Sequence, residues 1–79
     1  MNERQFKEFN LTQRMDIINL NGTYVGNRIY YQQKINLYTV YGFFVEVFYS
    51  PVENEITKVQ VCNREILEKQ YLDKINIFD

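Results

Sequence analysis

Seven consecutive residues, Phe43-Phe44-Val45-Glu46-Val47-Phe48-Tyr49, are aromatic or β-branched except for one glutamate, and Gly42 leads into them. A run this dense reads as a strand with little surface facing only water. Such a strand needs neighbours on both edges, and the flanking segments supply them. Ile35 to Tyr41 precedes it, Ile56 to Cys62 follows it, and Thr23 to Tyr31 forms a further strand upstream, with Gly26-Asn27 as a bulge or tight turn within it. Gln32-Gln33, Tyr41-Gly42 and Pro51 to Glu55 are of hairpin length, so the four strands are expected to form an antiparallel meander.

Before the first strand the period changes. Leu11, Met15 and Ile18 fall at helical spacing, Ile17 and Leu20 widen the stripe, and Asn10 stands as an N-cap with Gln13 three residues on. One helix is predicted, starting at Glu3 or Asn10 and ending near Asn21, with Gly22 as a left-handed terminator. After the last strand, Leu67, Tyr71, Ile75 and Phe78 line one side of a helix that Asn63 caps. On its other side Arg64 with Glu68, Glu65 with Lys69, and Lys69 with Asp73 are four apart, each pair contributing about 0.3 kcal/mol. The expectation is a single α+β domain over 1–79, in two layers and in the order αββββα. Its four-stranded meander is flanked in sequence by an N-terminal and a C-terminal helix, both packed on one face.

Register then divides the sheet, since a slip of one residue exchanges its faces. A Tyr41-Gly42 loop sets Val40 opposite Phe43, Tyr38 opposite Val45 and Leu37 opposite Glu46. A Gln32-Gln33 loop sets Arg28 opposite Leu37 and Val25 opposite Val40. Pairing Val47 with Val59 and Val45 with Val61 keeps apolar residues together. The face bearing Val25, Val40, Val45, Val47 and Val59 is then the core face. The other bears Tyr24, Arg28, Tyr30, Ile35, Leu37, Phe44, Glu46, Phe48, Ile56 and Lys58. Without a helix over it, this second face would expose an apolar patch of several hundred Å², a size usually covered by a partner or ligand.

The residue inventory argues against catalysis. There is no His, the commonest general base and the usual activator of a Ser or Cys nucleophile. Cys62 has no second cysteine to bridge to and reads as a small buried hydrophobe, although a following helix N-terminus could lower its pKa. Glu46 is the only acid within the strands and has no second acid for a glycosidase pair. Asp16, Glu53, Glu55 and Asp73 show no metal-ligand spacing, and Gly22, Gly26 and Gly42 form no phosphate-cradling loop. No cofactor and no metal are expected.

Nine basic and ten acidic residues leave a net charge of -1, which removes the electrostatic footprint of a dedicated nucleic-acid or acidic-membrane binder. The polar N-terminal segment and the lack of a long apolar run point to a cytoplasmic chain with no membrane contact. Ala and Trp are absent while Asn, Ile, Tyr, Phe and Lys are heavily used. A+T-rich coding produces that pattern, so tyrosine abundance alone does not mark a binding face.

The expected function is therefore a non-enzymatic protein-interaction or self-associating module. Tyr24, Arg28, Tyr30, Leu37, Phe44, Glu46, Phe48 and Lys58 are its candidate interface, and its partner is a second copy, giving a homodimer, or an unidentified protein. The charged residues on that face also read as ordinary cross-strand pairs worth well under about 1 kcal/mol each. The alternative function is binding of a small molecule or a single-stranded nucleic acid on the aromatic sheet surface. Nucleic acid is disfavoured by the charge balance and by Glu46 in the middle of the platform. A small molecule could instead enter a pocket between the first helix and the sheet lined by Tyr31, Tyr38 and Tyr49.

Overall fold

The computed structural model describes residues 1–71 of the chain. Its N-terminal part forms two helices where one was expected, α1 (Glu3–Lys7) and α2 (Leu11–Asn21). The break follows from two successive caps. Asn2 Oδ1 accepts from Gln5 N at 2.9 Å and Asn10 Oδ1 accepts from Gln13 N at 2.9 Å, and both glutamines reach back to the cap backbone N–H at 3.0 Å. Each cap supplies an acceptor for an otherwise unpaired N–H of its own first turn, so a new helix starts at Asn10. Arg14 joins the pieces, its guanidinium donating to the carbonyls of Lys7 at 2.8 Å and Val59 at 2.6 Å while lying 5.7 Å from the centre of the Phe6 ring. Gly22 ends α2 in extended geometry, φ -82°, and not in the left-handed form expected of it. Its reason is close approach, since a Cβ here would stand 2.6 Å from the Ile18 carbonyl oxygen.

The chain then enters β1 (Thr23–Tyr30), β2 (Gln33–Val40), β3 (Phe43–Ser50) and β4 (Glu55–Val61), an open antiparallel sheet in the order β1-β2-β3-β4. Cys62 N–H extends the β3–β4 ladder by donating to Phe44 O at 2.8 Å. Asn63 caps α3 (Arg64–Gln70) through Ile66 N at 2.9 Å. The i,i+4 pairs Arg64–Glu68 and Glu65–Lys69 form on its exposed side, at 2.9 and 2.8 Å. The expected pairing of Lys69 with Asp73, and the extension of the helix stripe to Ile75 and Phe78, lie outside the described residues.

The α+β class, the meander and the registers of β2 with β3 and of β3 with β4 stand as expected: Leu37 faces Glu46, Val45 faces Val61 and Val47 faces Val59. The first hairpin differs. It turns at Tyr31-Gln32, so Arg28 faces Ile35 instead of Leu37. Two bulges also exchange faces locally. The one between Tyr24 and Gly26 puts Tyr24 opposite Tyr38, with the two rings 5.8 Å apart at 75°, and turns Val25 toward the Leu37 side. The one between Phe48 and Tyr49 puts Ile56 opposite Tyr49 on the valine side. Counting by twos cannot foresee an extra residue in one strand, so all three assignments invert.

The helices do not share a face. Phe6 of α1 and Ile18 of α2 pack on Val40, Phe43, Val45, Val47 and Val59, as the valine pattern requires. Leu67 of α3, together with Tyr71 at its end, packs with Leu37 and Cys62 on the opposite side, against Val25 and Phe44. Apolar residues on both sides of β2 and β3 thus each find a cover, which explains why the central strand carries no polar alternation apart from Glu46.

Candidate functional site

Phe44, Glu46 and Phe48 project from β3 on the α3 side, and Leu37 projects beside them from β2. Leu37 and Glu46 are wholly buried and Phe48 is 8 % exposed, so the centre of the predicted interface is interior and not an open patch. Phe44 is half-buried beside Leu67. Lys58 does not pair diagonally with Glu46; its Nζ lies 5.3 Å from the centre of the Phe48 ring. Tyr30 is half exposed, and Tyr24 is equally exposed but on the other face.

What the structure does bring together is a polar cluster centred on Glu46. Arg28 Nε donates to Glu46 Oε2 at 2.9 Å, the Tyr71 hydroxyl donates to the same oxygen at 2.7 Å, and Gln60 Nε2 reaches Oε1 at 3.5 Å. The Arg28 guanidinium also lies 5.9 Å from the Tyr71 ring centre and 5.7 Å from that of Tyr30. Desolvation alone would lower the Arg28 pKa, but hydrogen bonding and charge from Glu46, helped by Tyr71, outweigh it and raise it. Burial pushes the Tyr71 hydroxyl up, and its hydrogen bond to the carboxylate pushes it further. The Cys62 thiol is raised from 9.0 to about 12, chiefly by burial and then by the Glu46 charge.

These directions describe a closed brace. Both carboxylate oxygens have donors, and the Cys62 thiol and the Tyr71 hydroxyl both keep their protons at physiological pH. The brace ties edge strand β1 to the centre of the sheet through Arg28, and the end of α3 to the same point through Tyr71. Register reasoning brought Arg28 and Glu46 near each other but missed Tyr71. The stripe Leu67, Tyr71 is the available signal, but it does not specify which side of the sheet the helix covers, and the structure sets it on the Leu37 side.

The expected tyrosine pocket does not assemble. Tyr31 is 85 % exposed in a turn, the Tyr49 hydroxyl donates to Asn54 Oδ1, and Tyr38 packs against Tyr24 and the valine core. Among the described residues no three His, Cys, Asp or Glu side chains converge on a possible metal site, and no helix is long and apolar enough to cross a membrane.

Open surface collects instead along β1. Helix contacts of α1 and α2 fall mainly on β4 and β2. Tyr24, Ile29 and Tyr30 are all more than half exposed, and Ile29 is 66 % exposed. The strand's one charged residue, Arg28, is already ion-paired. At the other edge, β4 carries Glu55 and Lys58, both exposed, a bulge at Thr57, and helices above it. Those are the devices that keep an edge strand from pairing with another chain, whereas β1 has a bulge only near its start. No protein-family model, characterised protein or solved structure matches the chain.

Proposed function

We propose that the chain is a non-enzymatic module that associates with a second copy of itself along the outer edge of β1. The observation that carries this reading is the contrast between the two sheet edges. From Gly26 to Tyr30 the outer strand is regular, flanked by exposed apolar side chains and electrically neutral once Arg28 is matched by Glu46. Unpaired N–H and C=O groups along such an edge are satisfied equally well by water or by another strand, and the burial of Ile29, Tyr24 and Tyr30 favours the strand. Two copies meeting antiparallel across a twofold axis bring no like charges face to face, because the only charge on the strand points into its own brace. The proposed interface shifts accordingly from the centre of the α3 face to the β1 edge of the sheet, keeping Tyr24 on one face and Tyr30 on the other and leaving Leu37, Glu46 and Phe48 to the core.

Static light scattering at micromolar concentration is the direct test. The wild-type chain is expected to weigh as a dimer. Ile29→Lys places a charge on the exposed edge and is expected to yield a monomer with an unchanged circular dichroism spectrum. A wild-type monomer at that concentration, or a dimer that Ile29→Lys leaves intact, would sink the reading. Substituting Phe48 would not serve, because its burial makes loss of association inseparable from loss of fold.

A further inference from the structure

The Tyr31-Gln32 turn and the loop after β3 lie at the same end of the sheet, and between them is a cleft of about 570 Å³ walled by Tyr30, Tyr31, Gln32, Ser50, Val52 and Glu53. That volume lies in the range of small-ligand sites, about 300–1,000 Å³. Two features of the wall bear on what it could hold. Tyr31 adopts φ 56°, a left-handed conformation that Gly or Asn takes far more easily, and its ring is 85 % exposed, so burial does not reward the strain. Glu53 is exposed, and its carboxylate makes no ion pair among the described residues. Its N–H donates to Ser50 Oγ at 3.3 Å, which fixes the backbone from which the carboxylate extends.

The Tyr31 ring meets Tyr30 edge to face, with centroids 4.6 Å apart at 76°. Arg28, which lies over Tyr30, has its charge matched by Glu46 and so leaves that of Glu53 uncancelled. An aromatic pair with an unmatched carboxylate in one cleft is the combination that holds an organic cation, the ring quadrupoles and the carboxylate both attracting positive charge. We propose that this cleft binds an alkylammonium or guanidinium group. The turn holds the exposed Tyr31 ring in the cleft wall beside Tyr30, where both rings and the Glu53 carboxylate can meet the cation.

The test is an amide chemical-shift titration with three probes: tetramethylammonium chloride, a capped Gly-Arg-Gly peptide, and tert-butanol as a neutral control of similar bulk. A saturable shift confined to residues 30–33 and 50–53 is expected with a cation, on the order of millimolar affinity for so exposed a site, and none with tert-butanol. Tighter binding of tetramethylammonium would indicate a free small cation as the source; tighter binding of the peptide would indicate an arginine side chain. Tyr31→Gly suits the turn geometry, so it should raise the melting temperature while weakening cation binding about two- to fivefold. Glu53→Gln should weaken it similarly and flatten its salt dependence. Absence of a saturable shift with both cations, an equal response to tert-butanol, or undiminished binding by the stable Tyr31→Gly chain would overturn the proposal. Tyr30 borders both the cleft and the β1 edge, but Tyr31 and Glu53 lie outside β1, so the weight measured by light scattering should not change in either variant, and the two readings fail separately.

Discussion

Glu46 is a carboxylate with no water around it, and removing a charge from water costs several kcal/mol that its partners must offset. Arg28 and the Tyr71 hydroxyl do so with hydrogen bonds of 2.9 and 2.7 Å to one oxygen. Deleting the carboxylate leaves the guanidinium, itself only 13 % exposed, without its counter-charge. Glu46→Ala is therefore expected to cost about 3–5 kcal/mol in urea unfolding, a large share of what a domain of this size has. Replacing the charged pair and the phenol together, Arg28→Met with Glu46→Leu and Tyr71→Phe, should cost less than Glu46→Ala alone, because no charge is then stranded and the half-buried Gln60 amide can turn to water. If the triple variant were the less stable, the cluster would be a net source of stability and not a matched brace. The proximity of Arg28 and Glu46 was legible only in part, since the expected register sets them on either side of Leu37, whereas the first hairpin places Arg28 opposite Ile35, a diagonal step away across β2. Their burial was not legible, because it depends on Tyr71, which is 25 residues beyond Glu46 and arrives on a helix whose face no local pattern specifies.

At the scale of elements, what the sequence made plain was whatever a short period encodes. Asn10 with Gln13 and Asn63 before α3 cap as expected, and the alternating valines of β3 and β4 pair as expected, because each signal spans only a few residues. Bulges and the first turn escaped for the opposite reason: an extra residue in β1 or β4 changes no composition, only the count. Turn chemistry in this chain is also poor by propensity. Tyr41 stands at φ 50° followed by Gly42 at φ 84°, so both central residues of the β2–β3 loop are left-handed, and Asn-Gly is the sequence that fits that loop best. The Tyr41 ring is half exposed. Tyr41→Asn is accordingly expected to stabilise the fold by about 0.5–1 kcal/mol, read as a rise of roughly 3–8 °C in melting temperature. A fall would mean that the exposed half of the ring hides contacts worth more than the strain it imposes.

For the molecule as a whole, one sheet separates two apolar clusters of unequal size, the valine side under α1 and α2 and the smaller Leu37 side under α3. The smaller side contains the two groups whose protonation the fold perturbs most, and both are perturbed in the same direction. Burial lifts the Cys62 thiol from 9.0 to about 12, and burial with the Glu46 hydrogen bond lifts the Tyr71 hydroxyl above its ordinary 10.0. Above pH 9 the unfolded chain releases the thiol proton and above pH 10 the phenol proton, while the folded chain keeps both. The unfolded state then binds fewer protons, so stability falls with rising pH through that window and is undiminished by these groups below pH 9. The urea midpoint should match at pH 8 and pH 8.5 and drop clearly by pH 11. Cys62→Val removes the earlier part of the drop, so its decline should begin nearer pH 10. Because α3 is held by the same two residues, its amide protons should lose protection from exchange ahead of those of β3 as the pH climbs. A midpoint at pH 11 equal to that at pH 8 would show that the Leu37 side opens to water in the folded state and that neither proton is held by the fold.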